Sequence, residues 1–175
     1  NFRNRFQQPA QYNRTILVTS QSGQVGQGEF NDQFIITTFR PDQRQPLGTV
    51  ITGSRADYGL LKRLILFLQK DKNIKSSLIV TGTHLSKNHG YTIDAIKKDG
   101  LEIKYKINIK IKKTDEKNLA NAMAISLNKT TQALSKLKPD IVILLGDRYE
   151  LLSSAISCMI LNIPIGHIHG GELTE

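Results

Sequence analysis

The sequence predicts an α/β fold built on a doubly wound parallel sheet of Rossmann-like type. Three observations lead there. From Leu47 onward, short apolar runs alternate with segments of helical periodicity; at least four of the runs have the composition of buried parallel strands; and polar turns follow them. In such a sheet the carboxyl edge is where ligands bind, because strand ends and helix N-termini leave backbone N–H groups pointing into a crevice. The run from Pro139 to Glu172, PDIVILLGDRYELLSSAISCMILNIPIGHIHGGE, holds strand, turn, helix, strand and turn in one piece. Its turn residues Gly146, Asp147, Arg148, Glu150, His167, His169, Gly170, Gly171 and Glu172 are therefore site candidates.

The first stretch, residues 1–46, differs in kind from the rest. It holds nine of the eleven glutamines and no lysine, which marks a boundary near Pro41 to Gly48. Thr15 to Thr19 and Phe34 to Phe39 are rich in β-branched and aromatic residues and predict two strands, so the stretch is a β-rich extension of unassigned role. Between them, SGQVGQG lacks the dinucleotide glycine spacing and precedes no helical pattern; it reads as a flexible hairpin connection.

The main domain spans residues 47–175. Gly48 to Thr52 is an apolar strand, followed by the turn GSRADYG and a helix from Tyr58 to Gln69 with Leu60, Leu61, Leu64, Ile65 and Leu68 on one face. Asp57 is placed to cap that helix. Ser77 to Thr81 is the second strand and ends in GTHLSKNHGY; a short helix, Tyr91 to Lys98, stops at Gly100. LEIKYKINIKIKK puts Ile103, Tyr105, Ile107, Ile109 and Ile111 on one face and mostly lysines on the other. That is a half-buried strand near an edge, where lysines discourage unwanted pairing. Asn118 to Leu137 is an amphipathic helix, and Pro139 ends it and launches the next core strand.

Composition narrows the function. The hydrophobic share of 39% and charged share of 22% are those of a globular chain, and no apolar run nears the ~20 residues of a membrane helix. The start has no basic-then-apolar leader, so a cytoplasmic chain is expected. Cys158 alone excludes an internal disulfide, and its helix position reads as a small buried apolar residue. The net charge of +9 comes largely from dispersed lysines, the pattern of a solvated surface rather than of a nucleic-acid face. It nevertheless favours a phosphate-bearing ligand.

Four polar loops, Gly53 to Asp57, Gly82 to His89, Gly146 to Glu150 and His167 to Glu172, follow four strands and should open on one edge. They carry all four histidines of the protein, together with Arg55 and Arg148 as candidate phosphate binders. Several of these residues have plainer readings. Asp57 could serve only as a cap, Arg148 and Glu150 could pair near the following helix, and Gly146 could only make a turn. His167 could hydrogen-bond a core carbonyl. Asp147, between Gly146 and Arg148 at a strand end, reads as functional. His167, His169 and Glu172 lack an HExxH arrangement, so no metal site is assigned.

TGSRADYGLL, VTGTHLS, KPDIVILLGDRYE and NIPIGHIHGGELTE, in this order, closely resemble the hydrolysing UDP-N-acetylglucosamine 2-epimerases of sialic and legionaminic acid synthesis. The resemblance covers about Leu47 to Glu175. It implies the N-terminal half of a GT-B architecture, with a UDP-sugar held between two Rossmann-like domains; the C-terminal domain, or a partner chain, is missing. It also implies elimination of UDP, hydration of a 2-acetamidoglycal to N-acetylmannosamine, no metal or nicotinamide cofactor, and a homodimer.

Carried over by motif, Arg55 and Arg148 contact the diphosphate, with Gly53, Ser54, Gly146, His167, Gly170 and Gly171 lining the UDP-sugar site. Asp147 is the acid/base carboxylate and His84 faces the sugar. Where many members have a glutamate this chain has His169, so His169 or Glu172 takes that role. The same chemistry on UDP-N,N'-diacetylbacillosamine fits these motifs equally. A rival of another class is a non-catalytic Rossmann domain acting as a binding protein.

Overall fold

The computed structural model describes residues 45–87, 90–109 and 115–169. The two strands expected in residues 1–46, the SGQVGQG loop, His89, Ile111, Gly170, Gly171 and Glu172 lie outside the described residues. The described chain runs β1 (Leu47–Thr52), α1 (Arg55–Lys70), β2 (Lys75–Thr81), a 3₁₀ turn (Gly82–Leu85), α2 (Ile93–Lys98), β3 (Ile103–Ile107), α3 (Glu116–Leu137), β4 (Ile141–Leu145), α4 (Tyr149–Leu161) and β5 (Ile165–Ile168). The strands form one sheet in the order β3-β2-β1-β4-β5. Every pairing in it is parallel.

Parallel strands buried on both faces explain the continuous apolar runs. Ile51, Ile79, Val142 and Leu144 cluster with Ala133 and Leu134 of α3 and Cys158 of α4. Alternation along the strands sends Val50, Leu78 and Val80 to the opposite face. There α1, packed on β1 and β2, buries Leu61, Leu64, Ile65 and Leu68. Each such Leu or Ile contributes about 1.5–3 kcal/mol, and a one-residue slip would exchange the two sets. The register is therefore held from both sides.

The element boundaries obey local chemistry that the periodicity blurred. The first helix begins at Arg55, not Tyr58, and its cap is Ser54 rather than Asp57. Ser54 has the extended backbone a cap requires, and its Oγ accepts from the Asp57 N–H at 3.3 Å. Asp57 sits in the first turn instead, where a carboxylate meets the positive end of the helix dipole. Asp115 caps α3 in the same manner, its Oδ1 accepting from Asn118 N–H at 2.9 Å.

The lysine-striped strand is shorter than predicted, Ile103–Ile107, but it does lie at the sheet edge. Lys104 and Lys106 face out and Ile107 faces in. α2 starts at Ile93 rather than Tyr91, and Gly100 follows its end with φ +73°.

Candidate functional site

With β1 beside β4 and β2 on the far side of β1, the connections leave β1 and β4 in opposite directions. That is a topological switch point, where the sheet opens a crevice past its carboxyl edge. The turns after β1, β2 and β4 build its floor. The Gly53 carbonyl accepts from Thr83 N–H at 2.8 Å and Thr83 Oγ1 at 3.1 Å, which fastens the β2 turn beneath the β1 turn.

Gly82 makes that approach possible. A Cβ there would lie 2.6 Å from the Gly53 oxygen and 2.9 Å from Glu150 Oε1, and its φ is +60°. Gly53 itself is different: a Cβ would meet Asp57 Oδ2 at 3.6 Å and nothing closer.

Two buried carboxylates stand behind the floor. Glu150, 1% exposed, accepts from Arg148 Nε at 3.3 Å and from Nη2 at 3.0 Å. This pairing, opposed by partial burial, raises the Arg148 pKa, and Asp57 adds to it through space. Tyr149, beneath the guanidinium at 5.9 Å, is pushed up to about 12 by burial and then by the Glu150 charge. Asp57 is 8% exposed, and its Oδ2 has no hydrogen-bond partner among the described residues.

His84, expected to face the sugar, is instead fully buried. Its Nε2 engages Thr52 Oγ1 at 3.1 Å and its Nδ1 engages Thr92 Oγ1 at 2.7 Å. The ring of Tyr58 meets it edge-on at 6.2 Å. Burial lowers its pKa against the pull of Asp57, so the ring is held neutral as a strut between β1 and the segment before α2. The turn leaves Thr83 half-buried and sends His84 inward, a choice that motif spacing does not reveal.

On the other side of the switch point, Gly146 turns with φ +85° and its N–H donates to the Ile168 carbonyl at 2.9 Å. His167 is exposed, and its Nε2 donates to the Gly146 carbonyl at 2.6 Å. The carbonyl-bonding reading of His167 thus describes its contact, and it ties the β4 turn to β5. Asp147 is exposed just before Arg148, and Arg55 is exposed at the start of α1. His169 is exposed with φ +52°.

The N-terminus of α4 has no side-chain cap, whereas those of α1 and α3 do. Its first N–H groups, with the half-exposed Arg148 guanidinium, can take an anion. Asp147 beside them can move a proton on whatever that anion carries. The structure thus gathers Gly53, Ser54, Gly146, Arg148 and His167 around β1, β4 and β5. Glu150 and Asp57 are the partners that spacing alone left undecided. A carboxylate two residues after a turn arginine, within the first turn of a helix, was the available signal.

A family model described as UDP-N-acetylglucosamine 2-epimerase matches residues 67–175. Among curated proteins, the chain is 39% identical over 125 residues to the GDP/UDP-N,N'-diacetylbacillosamine 2-epimerase (hydrolyzing) of Campylobacter jejuni, covering 71% of this chain and 32% of that protein. It is 40% identical over 124 residues to the polysialic acid biosynthesis protein P7 of Escherichia coli, with the same coverage, 71% and 32%. The chain thus spans about a third, 32%, of the length of these relatives. Among solved structures it resembles the UDP-GlcNAc 2-epimerase from Neisseria meningitidis bound to UDP-GlcNAc, with TM-score 0.60 and 25% identity over 74% of this chain and 33% of that one.

Proposed function

Because the chain belongs to the UDP-N-acetylglucosamine 2-epimerase family, we propose that it is the first Rossmann-like domain of a hydrolysing sugar-nucleotide 2-epimerase, residues 47–175, preceded by an extension of separate role. The observation that carries this is the switch-point crevice, where the uncapped N-terminus of α4, Arg148 and the exposed Asp147 meet at the end of β4. Nucleotide diphosphates are held at this position in doubly wound sheets.

In the proposed reaction the diphosphate of UDP-N-acetylglucosamine lies against Arg148, Arg55 and the α4 N-terminus. Gly53, Ser54, Gly146, His167, Gly170 and Gly171 line the site. The proton on C2 is removed, the C1–O bond breaks, and UDP leaves with the bonding pair, giving the 2-acetamidoglycal. Water then adds across the double bond, OH to C1 and H to C2, and N-acetylmannosamine is released. Asp147 and either His169 or Glu172 exchange the protons. His84 supports this site from below rather than touching the sugar. No metal or nicotinamide enters the reaction. A second domain outside this chain closes the crevice, the working enzyme is a cytoplasmic homodimer, and the product feeds a sialic-type sugar synthesis.

UDP-N,N'-diacetylbacillosamine is the second substrate reading, favoured by the name of the Campylobacter jejuni relative. The test is UDP release from each of the two sugar nucleotides, by the chain alone and by the chain joined to the C-terminal domain of a relative. Faster release from one substrate, lost at least about a hundredfold in Asp147→Asn, supports the reading and chooses the sugar. Unchanged turnover in that variant would remove Asp147 from the chemistry.

A further inference from the structure

We propose that Glu150 is a positioning residue: it fixes Arg148 at the junction of β1 and β4 so that the remaining guanidinium N–H groups meet a ligand's diphosphate. The inference rests on the nucleotide-binding reading of this crevice and adds to it a residue which that reading does not use.

A carboxylate that is 1% exposed is costly to bury unless it is paired. Here the pair is Arg148, through Nε at 3.3 Å and Nη2 at 3.0 Å. A guanidinium has five N–H donors in a rigid planar fork, so fixing one edge fixes the direction of the others. Two donors are used by Glu150. The rest belong to a side chain that is still 39% exposed, at the mouth of the crevice.

The fold makes room for this arrangement. Gly82 has no side chain where a Cβ would fall 2.9 Å from Glu150 Oε1, and Glu150 sits in the first turn of α4, where the helix dipole favours its charge. Asp57, buried at 8% exposure, acts on the same guanidinium through space. Arg55 offers the contrast: it is exposed and has no ion pair among the described residues. One arginine is held in advance, and the other is left to find its partner. A pair serving stability alone could be replaced by apolar groups of similar volume at little cost, and it would not need to leave the other three donors at a ligand edge.

The test uses the full chain with ¹⁵N-labelled arginine. Without ligand, the Arg148 Nε–H signal should be resolved and slow to exchange. Glu150→Gln should move it to the averaged position of free arginine while the amide spectrum keeps its dispersion. UDP and inorganic pyrophosphate are then titrated separately. Glu150→Gln and Arg148→Ala should each weaken binding roughly tenfold, as for loss of a directed charge-assisted contact. The double variant should bind no more weakly than Arg148→Ala, because Glu150 acts only through Arg148.

Additive losses, or an Arg148 signal already averaged in the parent chain, overturn the inference. Pyrophosphate binding through Arg148 without UDP binding preserves it and sinks the nucleotide reading; binding of neither sinks both. If Glu150→Gln does not fold, Glu150→Asp, which keeps the charge and shortens the reach, takes its place with an intermediate loss expected.

Discussion

The two ends of the sheet close their polar groups in different ways. At the amino end, β1 and β4 are clasped through Leu47 and Asp140: the Asp140 N–H donates to the Leu47 carbonyl at 2.8 Å, and Asp140 Oδ2 accepts from the Leu47 N–H at 2.8 Å. At the carboxyl end, the same two strands run into turns whose closure depends on Gly82, on the buried Glu150 paired with Arg148 and on a histidine between two threonines. The first arrangement satisfies both backbone groups of Leu47 with one residue, Asp140, 93 positions along the chain. The second holds an unpartnered Asp57 oxygen, an uncapped helix start and a half-exposed guanidinium. The same strands thus end in two ways: the amino edge closes its polar groups on each other, and the carboxyl edge leaves some of them for the proposed ligand.

The contrast can be broken most sharply at the glycines. Gly82→Ala should cost about 3 kcal/mol or more, because a left-handed backbone and contacts at 2.6 and 2.9 Å must both be relieved. Gly53→Ala, with nothing nearer than 3.6 Å, should cost under about 1 kcal/mol. Urea unfolding of the two variants measures the difference, and equal losses would mean that the turns do not pack as described.

At the other edge, Asp140→Ala should lower stability by about 2 kcal/mol, since it leaves the Leu47 N–H without its charged acceptor. Ligand affinity should stay unchanged, and an affinity loss as large as that of an Arg148 variant would end the division between the edges.

The smallest effect expected is a pH dependence. His84 has a folded-state pKa below its ordinary 6.5, chiefly through burial. A depressed pKa means that the unfolded chain binds the proton more readily. Its contribution is therefore complete above 6.5 and falls as pH drops from 6.5 through the folded value. His84→Gln should be less stable than the parent at neutral pH yet lose less on acidification, as read from unfolding midpoints across that window. An identical pH slope in both proteins would show that His84 is not held neutral.

Much of this was readable along the chain. The strand-helix alternation, the edge position of the lysine-striped strand and the turns bearing Gly82 and Gly146 follow from local periodicity and from glycine's freedom at positive φ. Family membership was readable too, in four ordered motifs. Helix starts were less so: Ser54 takes the cap three residues before Asp57 because a cap is chosen by backbone geometry as well as by side-chain type. His84 shows the same limit at the site, since its inward orientation is decided by Thr52, Tyr58 and Thr92, up to 32 positions away.

By itself, then, the sequence determined which segments become strands and helices and which turns carry arginines, carboxylates and histidines. These are properties of neighbouring residues and of periods of two and 3.6. Only the tertiary structure decided that β1 lies beside β4, and that the Arg148–Glu150 pair comes under the gap left by Gly82. It also turned His84 inward while Asp147 stayed at the surface. Those outcomes depend on groups brought together across about thirty to a hundred residues of chain, where packing and desolvation, not local propensity, choose each side chain's surroundings.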